Sequence, residues 1–182
     1  MWRKLFFGGV FVFIVGLMFR ELPVIAAEPM TMGLDNEEPT QAQPILPKQQ
    51  LVIISANGRH IFSVELARTA RQQQEGEMFR KSVPEDGGML FLWSKPQPIE
   101  MWMRNTLVPL DMVFIGTDRR IQAIAENTVP QSLAHIRSHG PVIATLELAG
   151  GVTAKLGIVV GDKVEAASLN PVEYKKKKIK NN

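Results

Sequence analysis

Cysteine is absent from the 182 residues, which excludes disulfide scaffolds, thiol enzymes and cysteine-ligated metal sites. Tyrosine occurs once and aromatic residues make up 7%, so few large rings are available to a core or a binding face. No Gly-Lys-Ser or Gly-Lys-Thr follows the Gly87-Gly88 or Gly150-Gly151 pairs, so these are turn glycines rather than phosphate loops. No Gly-x-Ser-x-Gly motif is present, and Ser132 near His135 is proximity in sequence without a nucleophile turn. No internal repeat is visible, and no apolar run is long enough to read plainly as a membrane span.

What is present begins with an address. Arg3 and Lys4 precede the uncharged stretch Leu5–Phe19, and Ala26-Ala27 supplies small residues for cleavage. Fifteen helical residues span roughly 22 Å, short of the ~30 Å hydrocarbon core. A cleaved signal over 1–27 is therefore expected, with an uncleaved anchor as the alternative, and either exports the rest. The expected location is the periplasm or cell envelope, where a chain without cysteine cannot mispair.

Residues 28–48 carry four prolines among acidic and polar residues and read as a linker. The folded domain is expected over 49–170, followed by a lysine-rich tail over 171–182. The net charge is +3, but five lysines in the tail supply it. Without signal and tail lysines the chain has 13 basic against 17 acidic residues, so no nucleic-acid partner is expected. Membrane contact is expected only through the signal or anchor, or weakly through the tail.

Within the domain, Leu51–Ile54 reads as a strand, and Asn57-Gly58 as a hairpin signal. His60, Phe62, Val64 and Leu66 then alternate with Arg59, Ser63 and Glu65, the period of a half-buried strand. Thr69 with Gln72 forms a capping box opening a short helix that Gly76 ends. Met89–Trp93 reads as a strand buried on both faces and broken by Pro96 and Pro98. Further strands are expected at Glu100–Asn105, Asp111–Ile115, Ile121–Glu126, Val142–Leu148 and Lys163–Ala167. A helical turn is expected between Pro130 and Gly140, and a short helix at Thr153–Leu156. The fold class is α+β: mostly antiparallel strands closing into a compact barrel-like domain with one or two short helices.

In a strand Glu100, Trp102 and Arg104 share one face, while Met101 and Met103 take the other, toward the core. Arg offers a bidentate fork and Trp a flat apolar face, a combination suited to planar, anionic or sugar-like ligands. The structural alternative pairs Arg104 with Glu100, Asp111 or Glu147. Asp111, just ahead of an apolar run, is expected to accept N–H bonds from the Asn105-Thr106 turn. His135 and His139 have the spacing of a helical metal pair but lack a clear third ligand, and they read as loop histidines. His60 reads as a partly buried, hydrogen-bonded histidine.

Several motifs together carry a family resemblance: Met78-Phe79-Arg80, Gly88–Phe91, Trp102–Thr106, Pro109–Asp111 with Phe114-Ile115, Leu146-Glu147-Leu148, and Gly157-Ile158 with Gly161-Asp162. Over about Val64–Val164 the chain resembles the exported-protein family called domain of unknown function 192 (DUF192). That family's helix usually ends in Gly-Leu-Met, where this chain has Gly76-Glu77-Met78. The resemblance implies a compact barrel-like α+β domain, often behind a signal peptide, and no established activity.

The expected function is thus an exported, non-catalytic binding or accessory domain. Its partner would be a small polar or anionic ligand or an envelope component. Trp102, Arg104, Asn105, Asp111, Glu147 and Arg80 are the ligand-binding candidates, and no cofactor or metal is expected. One alternative is an envelope hydrolase using Glu100, Asp111 or Glu147 as acid or base. The other is a purely structural or protein-interaction domain.

Overall fold

A computed structural model describes residues 38–170; the segment read as a signal, the first part of the Pro-rich stretch and the lysine-rich tail lie outside it. Strand β1 (Lys48–Ser55) pairs with β2 (Gly58–Ala67) in a hairpin, Ser55 facing Gly58 across the turn. Of the Asn57-Gly58 pair only Gly58 takes a positive φ, 126°. After β2, helix α1 (Ala70–Glu75) opens on Thr69, whose hydroxyl accepts from the Gln72 N–H while the Gln72 side chain accepts from the Thr69 N–H. A crossover through α1 returns the chain to β3 (Gly87–Met101), which lies parallel to β2.

Strands β4 (Leu110–Ile115), β5 (Ile121–Ala125) and β6 (Ile136–Ala149) follow. Helix α2 (Val152–Leu156) and β7 (Lys163–Ala166) close the domain. One seven-stranded sheet results, in the order β5-β4-β6-β3-β2-β1-β7, antiparallel except at β2–β3. It curls into a half-barrel whose two edges meet, the Ile121 N–H donating to the Asp162 carbonyl and the Val164 N–H to the Arg119 carbonyl. The expected barrel-like α+β class is what forms.

Alternation sorts the side chains onto two faces. Leu51, Ile53, Phe62, Val64, Leu90, Val113, Leu146 and Val164 fill the concave interior. Glu65, Ala67, Met89, Phe91, Met112, Phe114 and Glu147 take the other face, which the loops and the 38–47 segment cover. Both faces are dry along the first half of β3, so Gly87–Phe91 is buried throughout, as the unbroken apolar run predicts. Gly88 is required here, because a Cβ would lie 2.3 Å from the Glu147 carbonyl oxygen.

Three local expectations need correction. β3 does not stop at Pro96 and Pro98. Pro96 falls within the β3–β6 register shift between Leu92 and Gln97, and Pro98 stands opposite Pro141 where the register shifts again, irregular places in a ladder that tolerate proline. The strand expected over Glu100–Asn105 ends at Met101, and Asn105 turns the chain at φ 56°. Met103 still reaches the core, with no exposure, while Met101 is only partly buried. No helical turn forms between Pro130 and Gly140. β6 begins at Ile136, and His139 and Gly140 both take positive φ within it.

Candidate functional site

The covered convex face contains four charged side chains. Glu65 follows Val64 on β2 and therefore points away from the barrel interior, and Glu147 does the same between Leu146 and Leu148 on β6. Glu77 and Arg80 come from the turn after α1. Gly76 (φ 47°) ends that helix and packs so closely that a Cβ would meet the Phe91 ring at 3.0 Å and the Glu147 Oε2 at 3.7 Å. The chain then drops inward, burying Glu77 and Met78.

The four groups share their charges unequally. Arg80 grips Glu65 with two parallel bonds, Nη1 to Oε1 at 2.7 Å and Nη2 to Oε2 at 2.8 Å. Glu65 Oε2 also accepts from the Leu46 N–H at 2.8 Å. Burial alone would raise the Glu65 pKa, but the Arg80 and Leu46 hydrogen bonds outweigh it and hold the carboxyl below its ordinary value. Glu77 receives less. Its Oε2 lies 3.1 Å from the Arg80 Nε, but neither atom has a hydrogen-bond partner. Burial lifts the Glu77 pKa to about 7 despite the attraction of Arg80.

Glu147 receives least. Its side chain is 4% exposed and its Oε2 has no partner. Burial, then the neighbouring Glu77, push its pKa well above the usual carboxylate range, with Arg80 opposing. Three carboxyls thus compete for one guanidinium, and burial shifts two of them toward the neutral form.

Above them opens a groove of ≈110 Å³. Gly76, Glu77, Phe91 and Glu147 line it from within, and Trp102 and Arg104 stand at its rim. The Trp102 ring is 45% exposed, with the Arg104 guanidinium 5.7 Å from its centroid. Arg104 pairs with none of the three expected carboxylates. It meets Glu38 at 3.1 Å, in the segment read as linker. That segment lies along the groove's flank: the Gln43 amide donates to the carbonyls of Gln72 (3.1 Å) and Gly76 (2.9 Å), and Pro39 and Leu46 are buried.

Of the sequence-derived candidates, Trp102, Arg104 and Glu147 converge on this groove. Arg80 stands behind it, engaged with Glu65 and Glu77. Asn105 lies in the turn below the rim, its carbonyl accepting from the Phe79 N–H at 2.9 Å. Asp111 lies outside the groove lining and does not serve the Asn105-Thr106 turn. Its Oδ1 accepts from the N–H groups of Asn127 (2.8 Å) and Gly151 (2.9 Å). Its Oδ2 accepts from the Thr153 N–H (2.9 Å) and hydroxyl (2.7 Å), tying the start of α2 to the sheet.

Glu100 is exposed at the groove's edge and divided between His135 (2.6 Å) and Arg137 (2.7 Å). His60 meets the Ser55 hydroxyl at 2.8 Å. Among the described residues no cluster of three or more acidic or histidine side chains is arranged to hold a metal. No helix among them is long and apolar enough to cross a membrane. A larger hollow of ≈280 Å³ beside Phe62 and Val152 is bordered by Glu85 and Lys155, which satisfy each other at 2.5 Å.

The sequence reading missed Glu77, Glu65, Gln43 and Glu38. Only Glu77 left a trace, as a charge standing where an apolar residue is the family habit.

The family model of DUF192, described as Uncharacterized ACR, COG1430, matches residues 52–166. Two solved structures are similar over nearly their whole length. One is a candidate transcription regulator from Sinorhizobium meliloti 1021, 41% identical, covering 70% of this chain and 99% of its own, with a TM-score of 0.67. The other is a protein of unknown function from Novosphingobium aromaticivorans DSM 12444, 41% identical, covering 74% and 98%, with a TM-score of 0.66. No curated protein matches the chain.

Proposed function

On the premise that the chain belongs to the DUF192 family, we propose that it is an exported, non-catalytic binding domain for a small polar ligand of the cell envelope. The observation that carries this reading is the unpartnered Oε2 of Glu147, buried at the inner wall of a groove with an exposed tryptophan and arginine at its rim. A buried carboxyl left without a partner costs stability, roughly 1–3 kcal/mol, and a ligand that satisfies it regains that cost. Trp102 supplies an apolar face and Arg104 a charged fork within the same small volume. A groove of ≈110 Å³ suits a small molecule or an end group, not a long chain. Export rests on the charged, apolar and small-residue pattern of residues 1–27.

The hydrolase reading asks Glu100, Asp111 or Glu147 for a free acid–base pair. Both oxygens of Asp111 and of Glu100 are already engaged, which leaves Glu147 without a second reactive carboxylate from that set. The regulator label of the Sinorhizobium protein finds no support in charge, since the chain between signal and tail is acidic.

A thermal-shift screen with envelope-derived small molecules tests the proposal. A ligand at a hundred times its Kd stabilises by about 2.7 kcal/mol, enough to raise Tm by several degrees. The expected result is a hit lost in Glu147→Gln. A hit that survives both Glu147→Gln and Arg104→Ala would place binding elsewhere and sink the proposal.

A further inference from the structure

The groove has a definite chemical polarity. Its inner wall has an excess of carboxyl groups. Glu147 faces Glu77 and Arg80 from the turn after α1, and Arg80 is already committed to Glu65 of β2. At the rim the signs reverse: Arg104 is the cationic side chain there, and the chain's own Glu38 carboxylate occupies it. Glu100, the other charged group at the edge, is held by His135 and Arg137. Phe91, Trp93 and Trp102 also line the groove, and aromatic faces favour cations.

An entering ammonium would meet the Glu147 carboxyl, whose buried Oε2 has no partner, in a groove that aromatic side chains also line. An entering carboxylate would find Arg104 in the place Glu38 now takes. Both ends border one groove of ≈110 Å³, a volume on the scale of one small molecule.

We propose that this groove binds a small zwitterion of the amino-acid type, its ammonium on Glu147 and its carboxylate on Arg104 in exchange for Glu38. The inference rests on the groove being the binding site and names the ligand class. Binding requires Glu147 to ionise, so it expels a proton. Affinity therefore rises with pH through the range where the Glu77–Glu147 pair titrates. A neutral ligand has no such requirement.

The test is an NMR titration of the full chain, following the Trp102 indole N–H and the Gly76 amide. The probes are glycine, glycinamide, N-acetylglycine and N-acetylglucosamine. Glycine is expected to shift both signals saturably, with a Kd about tenfold or more lower at pH 8 than at pH 6. Capping either end, in glycinamide or N-acetylglycine, weakens binding at least tenfold. Glu147→Gln removes the glycine response while thermal unfolding shows the variant folded, and Arg104→Ala weakens glycine but not glycinamide.

N-acetylglucosamine shifting these signals while glycine does not would overturn the ligand class and leave the groove as a binding site. Glycine shifting signals away from Trp102 and Gly76, or no probe shifting any, would overturn the class as well. In that case the thermal-shift screen separately decides the fate of the binding reading.

Discussion

Glu77→Gln isolates the cost of the buried carboxyls. Glu77 is 2% exposed and its pKa is raised from 4.5 to about 7, chiefly by burial. Between those values the folded chain holds a proton that the unfolded chain has released, so the native state binds more protons. The Glu77 contribution to stability is therefore full below pH 4.5 and is lost as pH rises through 7. At 1.36 kcal/mol per pKa unit the loss is about 3 kcal/mol. Glu147 shifts in the same direction and adds to it. Glu65 shifts oppositely, so its contribution is lost only as pH falls through the acid range and does not mask the trend between pH 5 and pH 8.

Urea unfolding of the full chain at pH 5 and pH 8 measures the difference. With m near ~2 kcal/mol/M, the Glu77 share alone is roughly 1.5 M in midpoint. In Glu77→Gln the amide cannot ionise, so the two midpoints draw together by about that amount, the gain appearing at pH 8. A wild-type chain that is more stable at pH 8 than at pH 5, or a variant with an unchanged pH difference, would refute the reasoning.

Asp111→Asn leaves two of its N–H or O–H donors facing an amide NH2, and costs about 2–6 kcal/mol in chemical denaturation. Gly88→Ala sets a methyl 2.3 Å from the Glu147 carbonyl oxygen and destabilises by at least the ~1–3 kcal/mol of ordinary overpacking, read as a lowered Tm. Arg104→Ala removes only a half-exposed pair with Glu38 and changes stability by less than about 1 kcal/mol, while ligand-induced thermal shifts shrink or vanish.

The barrel was legible because its signals are local. Alternation in β2, the Thr69–Gln72 capping box and the apolar run in β3 each follow from neighbouring residues and are found in place, although the end of β2 is covered on both faces and buries Glu65, and the two-sided burial of β3 stops at Phe91. Asp111 was legible as an anchor but not in its partners. Asn127 reaches it because β5 pairs with β4, and Gly151 and Thr153 because β6 pairs with β4 and α2 follows β6. Prolines 96 and 98 misled, because a register shift in the partner strand is invisible in a single strand's sequence.

The site was half visible. Trp102 and Arg104 announce themselves by residue type, and Glu147 by its place between two leucines. Its coupling to Glu77 depends on a turn after α1 folding onto β6, some seventy residues away in sequence, and no periodicity encodes that. The Pro-rich stretch looked like a spacer because its composition is polar. Single anchors, Gln43 on two carbonyls and Leu46 in the core, fix it to the domain without any pattern.

The proposed function stands on binding in the groove over Glu147. Its most direct test is an NMR titration of the full chain with soluble envelope extract fractions, watching the Trp102 indole and the Gly76 amide. At least one fraction is expected to shift both signals saturably, and Glu147→Gln to remove the response while the fold persists. Fractions that move neither signal, or move them equally in Glu147→Gln, would contradict it.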